Sequence, residues 1–563
     1  MSLPIRTLFV LVASVGFLYG QNIGRDSVAA AEHLIGLRFT DVKRDSMLES
    51  LSGQRASYEN IRKATLPNSV LPAVLFNPLP AGFKFETKRT SFKAGPSAKS
   101  KVSAHLSKGQ LPKGQVVPLG DDDLAFASVG ELAELIRTRA VTSETLTRMY
   151  LSRLKKYGPK LECVVTLTES LAIAQARRAD QEITGGKYRG LLHGIPYGVK
   201  DLLATKDYRT TWGSVPFKEQ MIREDATVVR KLEAAGAVLV AKLTMGELAW
   251  GDVWFGGMTR NPWNYEQGSS GSSAGPASAT AAGLVPFAIG TETWGSIVSP
   301  SQRCGTTGLR PTYGRVSRTG AMALSWSMDK IGPLCRSAED CAIVFNAIYG
   351  PDGIDPTVYD APFNYDPAID LSKVRVGFYK SAFDSVKKSN RELFAAALKK
   401  FEQLGATLIP VELPASLPVD DLHIILSAEA GAAFDELTRS GKDDLLVRQI
   451  KNAWPNSFRA SRFIPAVEYI NANRVRTLLI QDMDKLMQTV DVIITPPYGG
   501  NSLLLTNLTG HPEVVLPNGF NKEGSLVSIC IIGKLFDEAT LLSVARKYQE
   551  ATDYHLQHPS PKE

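Results

Sequence analysis

Residues 267–308 read QGSSGSSAGPASATAAGLVPFAIGTETWGSIVSPSQRCGTTG. Gly, Ser, Ala and Thr dominate this stretch, yet it is no repeat, and the apolar run Leu284–Ile289 interrupts it. Small side chains let one backbone approach another, or a ligand, closely, and glycine permits φ values that other residues avoid. The hydroxyls are too many, and too close to buried-looking sequence, for a solvated linker. Composition alone leaves one alternative open, a flexible loop flanking a buried helix.

Outward from this stretch the chain alternates helical and strand patterns. Ser128 and Glu131 form a capping box ahead of Leu132, Leu135 and Ile136, and a second helix spans about Ser143–Tyr157, stopped at Gly158. Ile195–Val199 is a short apolar strand leading into Lys200. Ala226–Ala235 reads as an amphipathic helix closed by Gly236, followed at once by strand Ala237–Ala241. Asn261–Ser270, with its proline, glycine and serines, reads as loop. Strand Val374–Phe378, helix Arg391–Leu404 and strand Thr407–Val411 make a βαβ unit, and Val490–Thr495 is a further apolar strand. Residues 414–485 are mostly helical, carry no motif and are the candidate substrate-shaping part. The pattern predicts the α/β class, a sheet flanked by helices.

Order and spacing sharpen the reading. Gly271-Ser272-Ser273, Ala281-Ala282-Gly283 and Gly290-Thr291-Glu292-Thr293-Trp294-Gly295-Ser296-Ile297 closely resemble the core of the amidase signature family. The resemblance continues through Gly308–Ser317 (GLRPTYGRVS) and Asp329–Pro333 (DKIGP). Upstream, Gly194–Asp201 (GIPYGVKD) matches the family's lysine motif, and downstream Thr509–Pro512 and Leu516–Gly519 resemble its C-terminal stretch. The similarity covers about Asp121–Gln557. It implies a single large mixed sheet flanked by helices, and an amidase that cleaves a carboxamide bond through a serine acyl-enzyme. Ser296 corresponds to the nucleophile, Ser272 to the bridging serine preceded by a cis peptide bond, and Lys200 to the base. Backbone N–H groups around Thr293, Trp294 and Gly295, with Ser296, correspond to the oxyanion hole.

The residue types suit that chemistry. Attack on an amide needs an alcohol stripped of its proton, a proton for the departing nitrogen, and donors for the developing oxyanion. A lysine serves as base once burial disfavours its ammonium form. Neighbouring side chains on a strand point to opposite faces, so Asp201 need not pair with Lys200 and keep it charged. Two departures stand out. Trp294 occupies a position where the family has Gly, placing a bulky ring beside the oxyanion loop, and Val298 stands where it usually has Arg.

Rival readings are an α/β-hydrolase-like esterase and the glutaminase-type subunit of a tRNA-dependent amidotransferase. Gly271–Gly275 formally satisfies G-x-S-x-G, with His511 downstream, but that elbow needs a strand immediately before it. A binding protein with a dead site is the third class.

The chain has 563 residues, and its 44% hydrophobic and 21% charged composition is that of a globular protein. Between Lys84 and Lys113 seven lysines and one arginine face only Glu86, a surplus equal to the whole net charge of +7. The charge therefore reads as a solvated linker, and no nucleic-acid partner is expected. Five cysteines without CxxC or metal-like spacing read as buried thiols, Cys335 and Cys341 being the one pair placed to bridge in an oxidising compartment. No metal or cofactor is expected, and the partner is a small-molecule amide. Thr7–Gly20 is an uncharged run of 14 residues, the length of a signal-peptide core and short for a membrane span. The expected organisation is a signal peptide at 1–20, a helical arm at 21–92, a basic flexible linker at 93–120 and the catalytic domain at 121–563. Export is the expected localisation, with no stable membrane span.

Overall fold

The computed structural model describes residues 23–95, 102 and 120–560. The apolar run Thr7–Gly20 and most of the basic segment lie outside these residues. The chain divides into two compact units, residues 1–67 and 68–563.

In the smaller unit two helices form, Arg25–Ile35 and Asp41–Ile61. The first ends at Gly36 in the left-handed region, and Arg44 of the second pairs with Glu32 of the first at 2.7 Å. The helical arm was expected to reach residue 92. Its helices end at Ile61, and residues 68–95 belong to the larger unit. The reason is aromatic anchoring: Phe76 meets Tyr313 edge-on at 5.0 Å, Phe85 meets Phe536 at 5.0 Å, and Phe92 stacks on Tyr365 at 5.6 Å. Such pairs favour a chain laid along a surface over one that swings freely.

The larger unit is built on one mixed sheet of eleven strands. In chain order these are β1 Val164–Leu167, β2 Pro196–Lys200, β3 Val238–Leu243, β4 Ala288–Glu292, β5 Thr307–Arg310 and β6 Lys330–Cys335. They continue with β7 Arg375–Tyr379, β8 Thr407–Val411, β9 Val492–Thr495, β10 Glu513–Phe520 and β11 Leu526–Gly533. The order across the sheet is β1-β3-β2-β4-β6-β5-β10-β11-β9-β7-β8. β2 runs parallel to both β3 and β4, and the βαβ unit of β7 and β8 is parallel as expected. Every residue of β2, β3, β4 and β6 is buried, which is why these strands read as apolar or small-residue runs rather than as alternating ones.

The capping box forms: Ser128 Oγ accepts from Glu131 N at 3.2 Å, and Glu131 Oε2 accepts from Ser128 N at 2.8 Å. The next helix differs from expectation. It runs through Gly158 and Pro159 to Leu161. Gly158 marks a close approach and not a stop, since a Cβ there would sit 3.1 Å from Val164 Cγ2 on β1. Within 261–270, read as loop, Asn264–Gly268 is a strand, paired in a small hairpin with Arg260–Asn261 and outside the main sheet. All five cysteines are buried and unbridged. No helix among the described residues is long and apolar enough to cross a membrane.

Candidate active site

Lys200 is the last residue of β2, and parallel pairing of Gly198 with Ala288 and Val199 with Ile289 brings it beside the end of β4. Its side chain is fully buried. The Nζ donates to Ser272 Oγ at 2.7 Å, to Thr291 Oγ1 at 2.8 Å and to Ser273 Oγ at 3.2 Å, with the Thr291 carbonyl at 3.4 Å. Burial pushes its pKa down from 10.5 to about 7, against the weaker opposing pull of Asp329 and Glu292. A neutral amine also has a lone pair with which to accept a hydroxyl proton.

Asp201, next in sequence, faces the other way. It lies 3.1 Å from Lys242 Nζ, and Thr211 donates to it through both its backbone N–H and its hydroxyl. The negative charge adjacent to Lys200 in sequence is therefore matched elsewhere, as the alternation of strand side chains anticipates.

Ser272 and Ser273 sit at the start of helix Ala274–Ala281, and the Gly271–Ser272 peptide bond is cis. Gly271 has no substitute here, because a Cβ would lie 1.7 Å from the Gly251 carbonyl oxygen. Ser273 braces the lysine against β4: its hydroxyl donates to the Thr291 carbonyl at 3.0 Å and accepts from Thr291 N at 3.1 Å.

Ser296 lies at the end of the turn that follows β4. Its carbonyl accepts from Ser273 N at 3.1 Å, which ties the two serine segments together. Its hydroxyl bonds to no described residue, and the residue keeps 8% of its surface. In this resting arrangement the Lys200–Ser272 contact is closed, whereas no hydrogen bond joins the Ser272 and Ser296 hydroxyls. The backbone N–H groups of Trp294, Gly295 and Ser296 donate to no described acceptor. Thr293 is buried, and its hydroxyl donates to Asp329 Oδ1 at 2.5 Å. Trp294 is 44% exposed.

Several supporting groups escaped the sequence reading. Glu292 Oε2 accepts from Ile297 N at 2.8 Å and Val298 N at 2.9 Å, clamping the chain just past Ser296. Its other oxygen takes Arg310 Nη1 and Asn507 Nδ2, both at 2.8 Å. Burial alone would raise this carboxyl, but Arg310, Asn507 and the Val298 N–H together hold it at about 2. Val298 itself is fully buried and enters the network only through its backbone. Thr291 and Glu292 stand inside the quoted GTETWGS run, so that signal was present. Asn507 lies in no motif and is found only through the fold.

His193 and His511 lie elsewhere. His511 Nδ1 is 2.8 Å from Thr509 Oγ1, and burial pushes its pKa down to about 3. His193 accepts from Arg189 N and sits 3.2 Å from Glu182. Neither touches a serine of the site. Among the described residues no cluster of three or more His, Cys, Asp or Glu could hold a metal ion.

The family model described as Amidase matches residues 145–503, a span holding Lys200, both serines at 272 and 273, and Ser296. The chain belongs to the amidase signature family. As a member it is an amidase, a hydrolase of amide carbon–nitrogen bonds. Among this amidase's curated relatives is the A subunit of glutamyl-tRNA(Gln) amidotransferase from Methylococcus capsulatus, 35% identical over 77% of this chain and 98% of that one. Among solved structures, native peptide amidase from Stenotrophomonas maltophilia has a TM-score of 0.69 at 29% identity, covering 77% of this amidase and 98% of the other chain. An amidase family protein from Bacillus anthracis has a TM-score of 0.70 at 26% identity, covering 83% and 100%.

Proposed function

We propose that this amidase hydrolyses a small-molecule carboxamide through a Ser-cisSer-Lys triad of Ser296, Ser272 and Lys200. The observation that carries the reading is the buried Lys200 amine, 2.7 Å from Ser272 Oγ and neutral above about pH 7. Lys200 takes the Ser272 proton as Ser272 takes that of Ser296, and Ser296 Oγ bonds to the amide carbon. The free amides of Trp294, Gly295 and Ser296, with that of Thr293, receive the carbonyl oxygen as it becomes an oxyanion. Ser272 then returns its proton to the departing nitrogen, the C–N bond breaks, and water releases the acid from Ser296. The open Ser272–Ser296 contact accords with this scheme, because hydrogen bonds at catalytic centres often tighten only once substrate is bound.

The test is a serine-directed fluorophosphonate. Its mass should appear on the Ser296 peptide and vanish in Ser296→Ala; undiminished labelling of that variant overturns the assignment.

The similarity to the tRNA-dependent amidotransferases supports a second reading, a component that supplies ammonia to a partner. The two separate cleanly. A free-standing amidase releases ammonia from simple amides as a purified chain, whereas the amidotransferase reading expects glutamine to be its substrate. We propose export as the localisation, directed by Thr7–Gly20. N-terminal sequencing of protein from the native host, finding Met1 intact in the cytosol, would refute it.

A further inference from the structure

A cavity of about 380 Å³ meets the candidate site at Thr291 and Thr293. Thr291 is the residue that holds Lys200 Nζ at 2.8 Å, and Thr293 opens the turn to Ser296. Most of the cavity wall comes from the chain between Arg318 and Ile331, but Asn68, Ser69 and Leu71 complete it. These three residues precede the matched family span by more than seventy positions. They are pinned in place: Asn68 Nδ2 donates to the Ala323 carbonyl at 2.8 Å, and Asn68 Oδ1 accepts from Ala323 N at 2.6 Å. Such a reciprocal pair fixes the segment at the rim as a strand partner would.

The lining is apolar over much of its area, with Leu71, Leu202, Met322, Leu324, Trp326 and Ile331. Its buried charges are spent internally. Arg318 donates to Asp355, to the Trp326 carbonyl, to Thr357 and to Tyr313. Asp329 accepts from Thr293, Leu324 N and Ser325 N. Lys330 donates to the Met328 carbonyl, and burial pushes its amine well below the ordinary lysine value. Glu224 contributes an exposed carboxylate, so the rim carries negative charge. One neutral donor in the wall is unused: Trp326 Nε1 is buried without a partner. A carboxylate entering here would meet no unmatched cation, while a hydrocarbon group would exchange water for apolar surface.

We infer that this cavity is the specificity pocket of the amidase, that it takes an uncharged aryl or alkyl group of the substrate, and that Leu71 from the segment ahead of the family core sets its reach. Leu71 is a positioning and selectivity residue, remote from the proton relay. The inference rests on the proposed amidase function, and the two can fail separately.

The test compares acetamide, phenylacetamide and acetanilide, which place a ring on neither side or on one side of the scissile bond, with glutamine as the charged probe. The purified full chain is used, as wild type, Leu71→Ala and Leu71→Trp. At least one ring-bearing amide should exceed acetamide and glutamine in kcat/KM by about 10-fold or more, the scale of selectivity that small changes in an apolar pocket confer. That preference should fall about 10-fold in Leu71→Ala, which removes wall, and in Leu71→Trp, which fills the cavity, with acetamide turnover unchanged. Leu71 is only partly buried, so both variants keep the fold, and unchanged acetamide turnover reports it. Acetamide hydrolysis with no preference for a ring, a preference for glutamine, or parallel losses on all substrates in the Leu71 variants overturns the inference and leaves the amidase reading standing. No hydrolysis of any of the four by the wild type overturns both.

Discussion

Lys242 on β3 and Asp201 just past β2 form a fully buried ion pair, 3.1 Å from Nζ to Oδ1, on the side of the strand away from Lys200. The pair keeps two lysines of neighbouring strands in different states, one matched by a carboxylate and one left to hydroxyls. Replacing Lys242 with Met strands Asp201 in the interior, and breaking a buried pair of this kind costs about 3–5 kcal/mol. Urea unfolding of Lys242→Met should show a loss of that size, and Asp201→Asn added to it should recover part. A double variant no more stable than the single one would show that the strands tolerate the stranded charge.

With Lys200 as the proposed base, activity should follow its protonation state. Its pKa is lowered to about 7, so the amine is protonated and idle below that pH and neutral above it. kcat/KM should rise through a single deprotonation near pH 7 and stay high into mildly alkaline solution. Lys200→Ala should lose about 10²–10⁴-fold or more, the usual scale for removing a proton-transfer group. Near-normal activity of this variant ends the Ser-Ser-Lys scheme.

Glu292 should matter to acid stability. Its pKa is depressed from the ordinary carboxylate value to about 2, so its stabilising contribution is complete above about pH 4.5 and lost as pH falls through about 2. Glu292→Gln forfeits the charge that Arg310 faces at 2.8 Å, although Arg310 keeps Glu513 at 2.9 Å. We expect a loss of about 3 kcal/mol at pH 7 that shrinks towards pH 2, with kcat falling more than KM because the clamp on Ile297 and Val298 loosens. A stability difference unchanged between pH 7 and pH 2 contradicts this.

Among the described residues no histidine hydrogen-bonds to Lys200, Ser272, Ser273 or Ser296. His193→Ala and His511→Ala should retain most of the wild-type kcat/KM, although His511→Ala opens a buried gap and will lower the melting temperature. A loss of several orders of magnitude in either would revive a histidine-based triad.

Trp294 tests the turn after β4. The residue is 44% exposed, so Trp294→Gly should change stability little, typically within about 0.5 kcal/mol for an exposed position, while shifting the ranking among amides. An unchanged ranking would mean the ring plays no part in selection.

Five of the eleven strands, β2, β3, β7, β8 and β9, were legible because they are short apolar runs punctuated by glycine, proline and helix caps. The candidate residues were picked out for another reason: Ser272 and Ser296 sit in a dense run of small residues, and Lys200 in a stretch, GIPYGVKD, that resembles the family's lysine motif. What stayed hidden depended on distance in the chain. Asn507 reaches Glu292 across 215 positions and Asn68 reaches Ala323 across 255, and no local pattern announces either bond. Gly158 misled for the opposite reason, since a residue that commonly ends helices serves here as a packing surface for β1. The aromatic residues of 76–92 were overshadowed by the prolines around them, so a segment that packs on the larger unit's residues was read as part of the helical arm.

The parallel pairing of β2 with β4 has a consequence for how such an enzyme can diversify. Lys200 and Thr291 stand at the ends of adjacent strands, so their spacing is set by the roughly 4.8 Å repeat of a hydrogen-bonded sheet rather than by loop conformation. Insertions and replacements in surrounding loops leave that spacing untouched. Random mutagenesis for new substrates should therefore concentrate on the cavity-lining side chains of Leu71, Ala321 and Met322, which bond to neither Lys200 nor Thr291, and libraries confined there should retain a high proportion of active clones.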